Sequence, residues 1–327
     1  MRNLRILTLT LSVLSILFVA FVTIYVRNHS RYQIRLSSSS ARCGVANKGL
    51  AFSYVTHTAK FCQSADNGTT LLIGVLSSTD NFEARAAIRD TWGGIALKMG
   101  FVVVFLLGNT LDQGVQRKVL AERNIHGDIV QGDFVDSYRN LTYKTVMLIR
   151  WAREKCSEVN FVLKIDDDML LSVWDLAVAV NNLEGIKRTM WGELYRGASP
   201  NRNVASKWYV SRKEYAPDTY PAFLSGTGYL ISGDSIAILE EFINDECFFP
   251  LEDIYLTAIV AERAQVSRLH YDGFSNEHKR FHQPCSTPRV VTSHYWSPTA
   301  LRNEWRRAVS RLNFGLCGGI KKSQMVS

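Results

Sequence analysis

The chain has 327 residues, 46% hydrophobic and 21% charged, which excludes a disordered or low-complexity protein and allows one large core or two small ones. Its 38 Lys and Arg against 30 Asp and Glu leave a net charge of +8, suited to nucleic acid, an anionic membrane or a phosphate-bearing substrate. No Lys/Arg-rich run or nucleic-acid module accompanies that charge, and part of it sits in Arg2, Arg5, Arg27, Arg31, Arg35 and Arg42, ahead of the first acid, so no nucleic-acid partner is expected.

Ile6 to Val26 runs for 21 residues without a charge, enough to cross a bilayer as a helix at about 1.5 Å per residue. The run is longer than the roughly 7–15 apolar residues of a cleaved signal peptide, and Ile24-Tyr25-Val26-Arg27 has no small-residue cleavage site. The reading is an uncleaved single transmembrane helix over 6–26 behind a tail over 1–5. Arginines flank both sides, so charge does not orient it. The sequons at Asn28, Asn67 and Asn140 place the body on the lumenal side, and the six cysteines suit disulfides in an oxidising compartment. None has CxxC spacing, which argues against zinc. Residues 27–68, with Ser37-Ser38-Ser39-Ser40 and little apolar periodicity, read as a stem, and 69–327 as the folded domain.

Within that domain apolar runs at Leu71–Leu76, Phe101–Leu107, Asp128–Val130 and Phe161–Ile165 read as buried strands. Helical patterns over Glu83–Trp92, Val115–Ile125, Leu141–Cys156 and Trp174–Leu183 alternate with them. The alternation predicts an α/β fold with a mainly parallel central sheet. The second half is less regular: aromatics and glycines crowd 208–229, with 220–229 read as a close-approach loop, and helices are expected over 235–243 and 253–263.

The strongest chemical signal is Asp166-Asp167-Asp168 at the end of the fourth strand. Ligands of open α/β sheets gather at the carboxyl edge, and three adjacent carboxylates repel one another unless a cation or proton offsets them. If strand geometry persists one step, Asp166 and Asp168 point together and Asp167 away, an oxygen set suited to Mg²⁺ or Mn²⁺ holding a phosphate. The plainer alternative is a solvated acidic turn. Arg85 and Arg89 share a helical face and make either a phosphate clamp or a solvated face paired with Glu83 and Asp90. Asp133 to Lys144 is a polar turn entering a helix, with Tyr138 and Lys144 open between ligand contact and surface packing. Trp208, Tyr209, Gly226, Gly228 and Tyr229 offer stacking faces and close backbone approach, or simple core packing and a tight turn. Glu252-Asp253 precedes an apolar helix; capping explains one acid, and the other can serve as a general base. His294 is either a packed histidine or a nitrogen ligand completing an aspartate metal site.

Seven stretches, RAAIRDTW (85–92), FLLG (105–108), GDIVQGDFVDSYRNLTYKT (127–145), FVLKIDDD (161–168), YPAFLSGTGYLIS (220–232), LEDIY (251–255) and SHYWSP (293–298), resemble in order the animal β-1,3-galactosyltransferase and β-1,3-N-acetylglucosaminyltransferase family. The resemblance implies a GT-A fold in the lumen behind a type II Golgi membrane anchor. It also implies an inverting, Mn²⁺- or Mg²⁺-assisted transfer from a UDP-sugar to a glycoprotein or glycolipid glycan. Carried over by position, Asp168, Asp166 and His294 are metal ligands and Asp253 is the base. Arg85, Arg89, Asp133, Tyr138, Lys144, Asp166 and Asp167 lie toward the donor, and Trp208, Gly226, Gly228, Tyr229 and Glu252 shape the sugar and acceptor pocket. The stretch KWYVSRKEYAPDTYP (207–221) resembles the galactosyltransferase branch, so UDP-galactose is the expected donor and UDP-N-acetylglucosamine the alternative. The sequence departs from the family at Leu224, commonly Cys, and Thr257, commonly Gly. Two rivals are a metal-dependent nucleotide-sugar hydrolase and a catalytically inactive lumenal chaperone.

Overall fold

The computed structural model describes residues 50–56, 71–281 and 289–311. The tail, the 6–26 anchor, most of the stem, Asn28 and Asn67 lie outside the described residues. In chain order the elements are β1 (Tyr54–Thr56), β2 (Leu71–Leu76), α1 (Phe82–Asp90), α2 (Trp92–Lys98), β3 (Val102–Asn109), α3 (Gln113–His126) and β4 (Ile129–Val135). A 3-10 turn (Tyr138–Asn140), α4 (Leu141–Lys155), β5 (Phe161–Asp166), β6 (Leu170–Leu171), α5 (Val173–Leu183), β7 (Thr189–Tyr195) and β8 (Phe223–Ser232) follow. The chain then forms α6 (Ser235–Asp245), a π-helical segment (Ile254–Val260) continued by α7 (Ala261–Arg263), β9 (Ser267–His270), β10 (Thr292–Ser293) and α8 (Pro298–Ser310).

The main sheet runs β1-β4-β3-β2-β5-β8-β7-β9, and β6 pairs with β10 in a separate ribbon. The β4-β3-β2-β5 block is parallel; β8 runs antiparallel to β5 and β7, and β1 antiparallel to β4. This is the expected α/β architecture, with a mixed sheet rather than a uniformly parallel one. Its strands lack polar alternation because both faces are covered. Leu71, Ile73 and Val75 pack with Trp92, Trp174 and Trp305 from the α1, α2, α5 and α8 side. Leu72 and Leu76 pack with Leu148, Trp151 and the π-helical segment on the other. Local signals fix the helix ends: Asp112 accepts from Gly114 N and Val115 N, Gly127 closes α3 at φ 65°, and Ser297 caps α8 with Pro298 in its first turn.

Three expectations need correction. The end of the predicted stem is part of the fold: Leu50 is buried and β1 pairs with β4. The segment expected as a loop over 220–229 is mostly strand β8, because β5 and β7 satisfy its backbone from both sides where local sequence offered only turn residues. The helix expected over Glu83–Trp92 breaks at Thr91, whose hydroxyl donates to the Ala87 carbonyl, and a second helix starts at Trp92. Of the cysteines, Cys156 and Cys247 fall within the described residues and both are disulfide-bonded.

Parallel β2 and β5 sit in the middle of the order, so connections diverge to opposite sides from their shared carboxyl edge, where Leu76 pairs with Asp166. That is a topological switch point, the place where α/β sheets open a crevice. Helix α8 is tied to the same block by the Trp174–Trp305 stack, with ring centroids 5.0 Å apart and planes 9° from parallel. Trp305→Ala is expected to cost about 3–5 kcal/mol, measured as a lower denaturation midpoint at unchanged slope.

Candidate active site

A cleft of about 600 Å³ opens at that switch point. Its walls are the turn after β2, the 3-10 turn, the acidic tract, the β8 start, the segment before the π-helix and the His294 turn. β5 delivers the tract, whose three carboxylates then diverge. Asp166 binds Lys164 at 2.7 Å, Asp167 accepts from Asn81 at 2.9 Å, and Asp168 lies 3.1 Å from His294 Nε2. Burial, opposed by Lys164 and reinforced by Glu252 and Asp168, pushes the Asp166 carboxyl up to about 6. Asp167 is also raised, chiefly by burial.

Lys164 stands in the middle of an apolar strand and is buried at 1% exposure. Its ammonium meets Asp166 Oδ1, Glu252 Oε1 at 2.8 Å and the Gly226 carbonyl. Burial alone would lower its pKa; Asp166 and Glu252 outweigh burial and raise it, so the lysine is charged. Glu252 is itself buried, its Oε2 accepting from Thr145 at 2.9 Å and Tyr229 at 3.0 Å.

Asp253 begins the π-helical segment, with Oδ1 accepting from Ile254 N at 2.8 Å. Burial first, then the Glu252 charge, push its carboxyl up to about 7 against the pull of Ile254 N–H and Lys164. A π-turn at this point is itself a recurrent mark of functional sites. Gly226 faces both acids: a Cβ there would stand 2.9 Å from Glu252 Oε1 and 3.3 Å from Asp253 Oδ2. The two departures from the family meet beneath Asp253, where Leu224 N donates to Thr257 Oγ1 at 2.9 Å and Thr257 Oγ1 donates to the Asp253 carbonyl at 2.6 Å.

On the opposite wall His294 Nδ1 lies 3.2 Å from the Asn276 carbonyl, and Asn276 is held by Glu193 at 2.7 Å and by the Tyr195 hydroxyl at 2.6 Å. With Nδ1 donating to that carbonyl, Nε2 is aimed at Asp168. Burial opposes its charged form, but Asp168 outweighs burial and raises the His294 pKa. Tyr295 stacks on the imidazole with centroids 3.8 Å apart and takes a positive φ of 65°. Carboxylates with an imidazole are a donor set that suits Mn²⁺. As placed, Asp168 and His294 bond each other, and among the described residues no three His, Cys, Asp or Glu groups converge on one ion position.

Of the residues singled out by sequence, Tyr138, Lys144, Asp166, Asp167, Asp168, Trp208, Gly226, Glu252, Asp253 and His294 line the cleft together. Arg85, Arg89 and Asp133 do not. Arg85 and Arg89 engage Glu122 and Asp128 on α3 and before β4, at 2.7, 2.6 and 2.7 Å, and Asp133 accepts from Ser53 N of the β1 segment. Arg85 nevertheless shapes the cleft by gripping the Ser77 hydroxyl and the Ser78 and Thr79 carbonyls. Lys144 is committed to Asp136 at 2.7 Å and to the Ser77 carbonyl at 2.6 Å. Gly228 lies in β8 opposite Ile165, and Tyr229 is buried behind Glu252, so neither is a cleft surface. Asn140 sits in the 3-10 turn beside the cleft with its amide on the Val135 carbonyl. Sequence reading missed Lys164, Lys207, Tyr195 and Asn276. Only Lys164 gave a local signal, a charge inside a buried apolar strand.

The switch-point cleft thus holds an acidic tract and, on a separate element, a raised carboxylate. The chain belongs to the galactosyltransferase family, whose model matches residues 83–272. It is 36% identical over 241 residues to β-1,3-galactosyltransferase 5 of Pan paniscus, covering 72% of this chain and 79% of that protein. Identity to β-1,3-galactosyltransferase 1 of Homo sapiens is 32% over 265 residues, 80% of either chain. Identity to lactosylceramide 1,3-N-acetyl-β-D-glucosaminyltransferase A of Danio rerio is 32% over 284 residues, 83% of this chain and 73% of that one. The protein is thus a glycosyltransferase, similar to β-1,3-galactosyltransferases and to a 1,3-N-acetylglucosaminyltransferase. Among solved structures, GalNAc-T7 with UDP, GalNAc and Mn²⁺ superposes at a TM-score of 0.42 and 10% identity, over 75% of this chain and 48% of that one.

The Gly226 contacts give a direct test of the site. Gly226→Ala is expected to push Glu252 and Asp253 apart and to lower kcat by about 10²-fold, the scale of an ångström-sized misplacement. Thermal unfolding within a few degrees of the parent would show that the loss is local.

Proposed function

We propose that the protein moves galactose from UDP-galactose to a hydroxyl of a glycan on a glycoprotein or glycolipid, inverting the anomeric carbon to leave a β-1,3 linkage. The observation that carries this reading is Asp253, a half-buried carboxyl raised to about 7, lining the same cleft as the acidic tract. A base with that pKa is about half ionised at neutral pH, more so above it, and retains appreciable proton affinity. In the reaction the acceptor oxygen forms a bond to the anomeric carbon while its proton passes to the Asp253 carboxylate. The bond from that carbon to the diphosphate oxygen breaks on the opposite face, and its electron pair leaves with UDP. Asp168 and His294, with Asp166, would hold a divalent ion, Mn²⁺ or Mg²⁺, whose charge offsets the negative charge growing on the diphosphate. Trp208 and Tyr295 expose aromatic faces in the cleft on which sugar rings can stack.

UDP-N-acetylglucosamine is the second donor reading, favoured by the zebrafish relative's name and its 32% identity. The charge-free 6–26 run and the sequons support a type II anchor in the Golgi membrane with the domain in the lumen.

A donor and acceptor screen on the full-length chain is the first test. The expected outcome is incorporation of galactose into a β-linked glycan, loss of turnover on chelation and recovery with Mn²⁺. Asp253→Asn is expected to lower kcat by about 10²–10⁴-fold with an unchanged unfolding temperature; near-parental turnover would mean that another group takes the proton. The pH dependence has a defined sign. A carboxyl raised to about 7 is neutral and idle as a base below that pH, so kcat/KM should rise with pH and level off above about 7. A profile flat from pH 5 to 8 would contradict the assignment.

A further inference from the structure

The transfer chemistry leaves unused a fully buried charge pair directly behind the base. Lys164 reaches from the strand of the acidic tract to Glu252 at 2.8 Å, and also holds Asp166 at 2.7 Å and the Gly226 carbonyl. Glu252 is fixed from its other side by the hydroxyls of Thr145 and Tyr229. The pair thus ties β5, β8, α4 and the turn carrying Asp253 at one point. Neither side chain presents a free charge to an acceptor, although both border the cleft. A buried carboxylate next to a base is costly unless paired, and a surface salt bridge would have served stability equally well.

We infer that Lys164 and Glu252 are positioning residues for Asp253: together they hold the turn that carries it, and the net charge of the pair governs how readily Asp253 accepts a proton. The inference rests on the reading of Asp253 as the base. Asp253 is faced by Glu252 on its own segment, Lys164 on β5, Tyr229 on β8, Tyr138 in the 3-10 turn and Tyr220 ahead of β8. The three tyrosines are all raised, burial first among the causes, and therefore neutral near pH 7. Among these groups Lys164 and Glu252 alone bring opposite full charges to bear. Glu252 holds the proton on Asp253; Lys164 releases it. Their opposition keeps a half-buried aspartate usable near neutral pH.

The test is the pH profile of kcat/KM for sugar transfer by the full-length chain with Mn²⁺, in Glu252→Gln, Lys164→Met and the double variant. Glutamine keeps the shape of Glu252, and the Thr145 and Tyr229 hydroxyls can rotate to suit its amide. Glu252→Gln is expected to move the acidic limb down by roughly one pH unit and Lys164→Met to move it up by a similar amount. The double variant, which removes both charges, is expected to return the limb toward the parent. Below the limb, a one-unit shift is about a tenfold change in kcat/KM, and the change should appear in kcat rather than in KM. Limbs that coincide in the parent and a stably folded Glu252→Gln would overturn the inference even if Lys164→Met fails to fold. Asp253→Asn retaining turnover and limb would instead overturn the base assignment beneath it, and a parent without sugar transfer would overturn the functional reading as a whole.

Discussion

A lysine ammonium with 1% exposure cannot remain charged in a sheet interior without close partners, because desolvation costs several kcal/mol per ion. Lys164 has three: Asp166, Glu252 and the Gly226 carbonyl. They come from β5 itself, the segment entering the π-helix and β8, so satisfying one charge requires three separate chain segments to meet at fixed distances. The acidic tract and Asp253 are brought to one cleft as a consequence of that requirement. Without Lys164, the Asp166 and Glu252 carboxylates would lose the cation that joins them.

The same device recurs around the cleft with different residues. Arg85, fully buried, is fixed by Glu122 and in turn grips the Ser77 hydroxyl and the Ser78 carbonyl after β2. Lys144 pairs with Asp136 and holds the Ser77 carbonyl from the other side. A strand-end turn would otherwise be mobile; here two cations fix its backbone. These are positively charged residues near a site for an anionic substrate, yet their charges are spent internally. That distinction follows from partners far away in sequence: Glu122 lies 37 residues from Arg85.

Leu224 and Thr257, the two positions at which the chain leaves the family's usual residues, lie on different elements yet contact each other. The Thr257 hydroxyl accepts from Leu224 N and donates to the Asp253 carbonyl, so β8 is joined to the turn that carries Asp253 by side-chain hydrogen bonding. Threonine hydroxyls commonly bond a carbonyl four residues earlier and bend the helix locally, and here the carbonyl belongs to Asp253 at the start of a π-helical segment. The departures therefore form one coordinated contact directly under the proposed base.

Sequence alone determined the α/β class, the four central strands and the helices between them, because apolar runs and helical periodicity are local consequences of burial on both faces of a sheet. It also located the acidic tract at a strand end and the Asp253 and His294 segments, since their motifs are contiguous. Only the tertiary structure decided what Arg85, Arg89, Asp133, Lys144 and Glu252 do. A charged side chain's role depends on which counter-charge or hydrogen-bond donor reaches it, and Glu122, Asp128, the Ser53 N–H, Asp136 and Lys164 arrive from other elements. The strand β8, written in glycines and aromatics that read locally as a loop, exists because β5 and β7 complete its hydrogen bonds. Pairing across the sheet is a long-range energy, and no window of the sequence contains it.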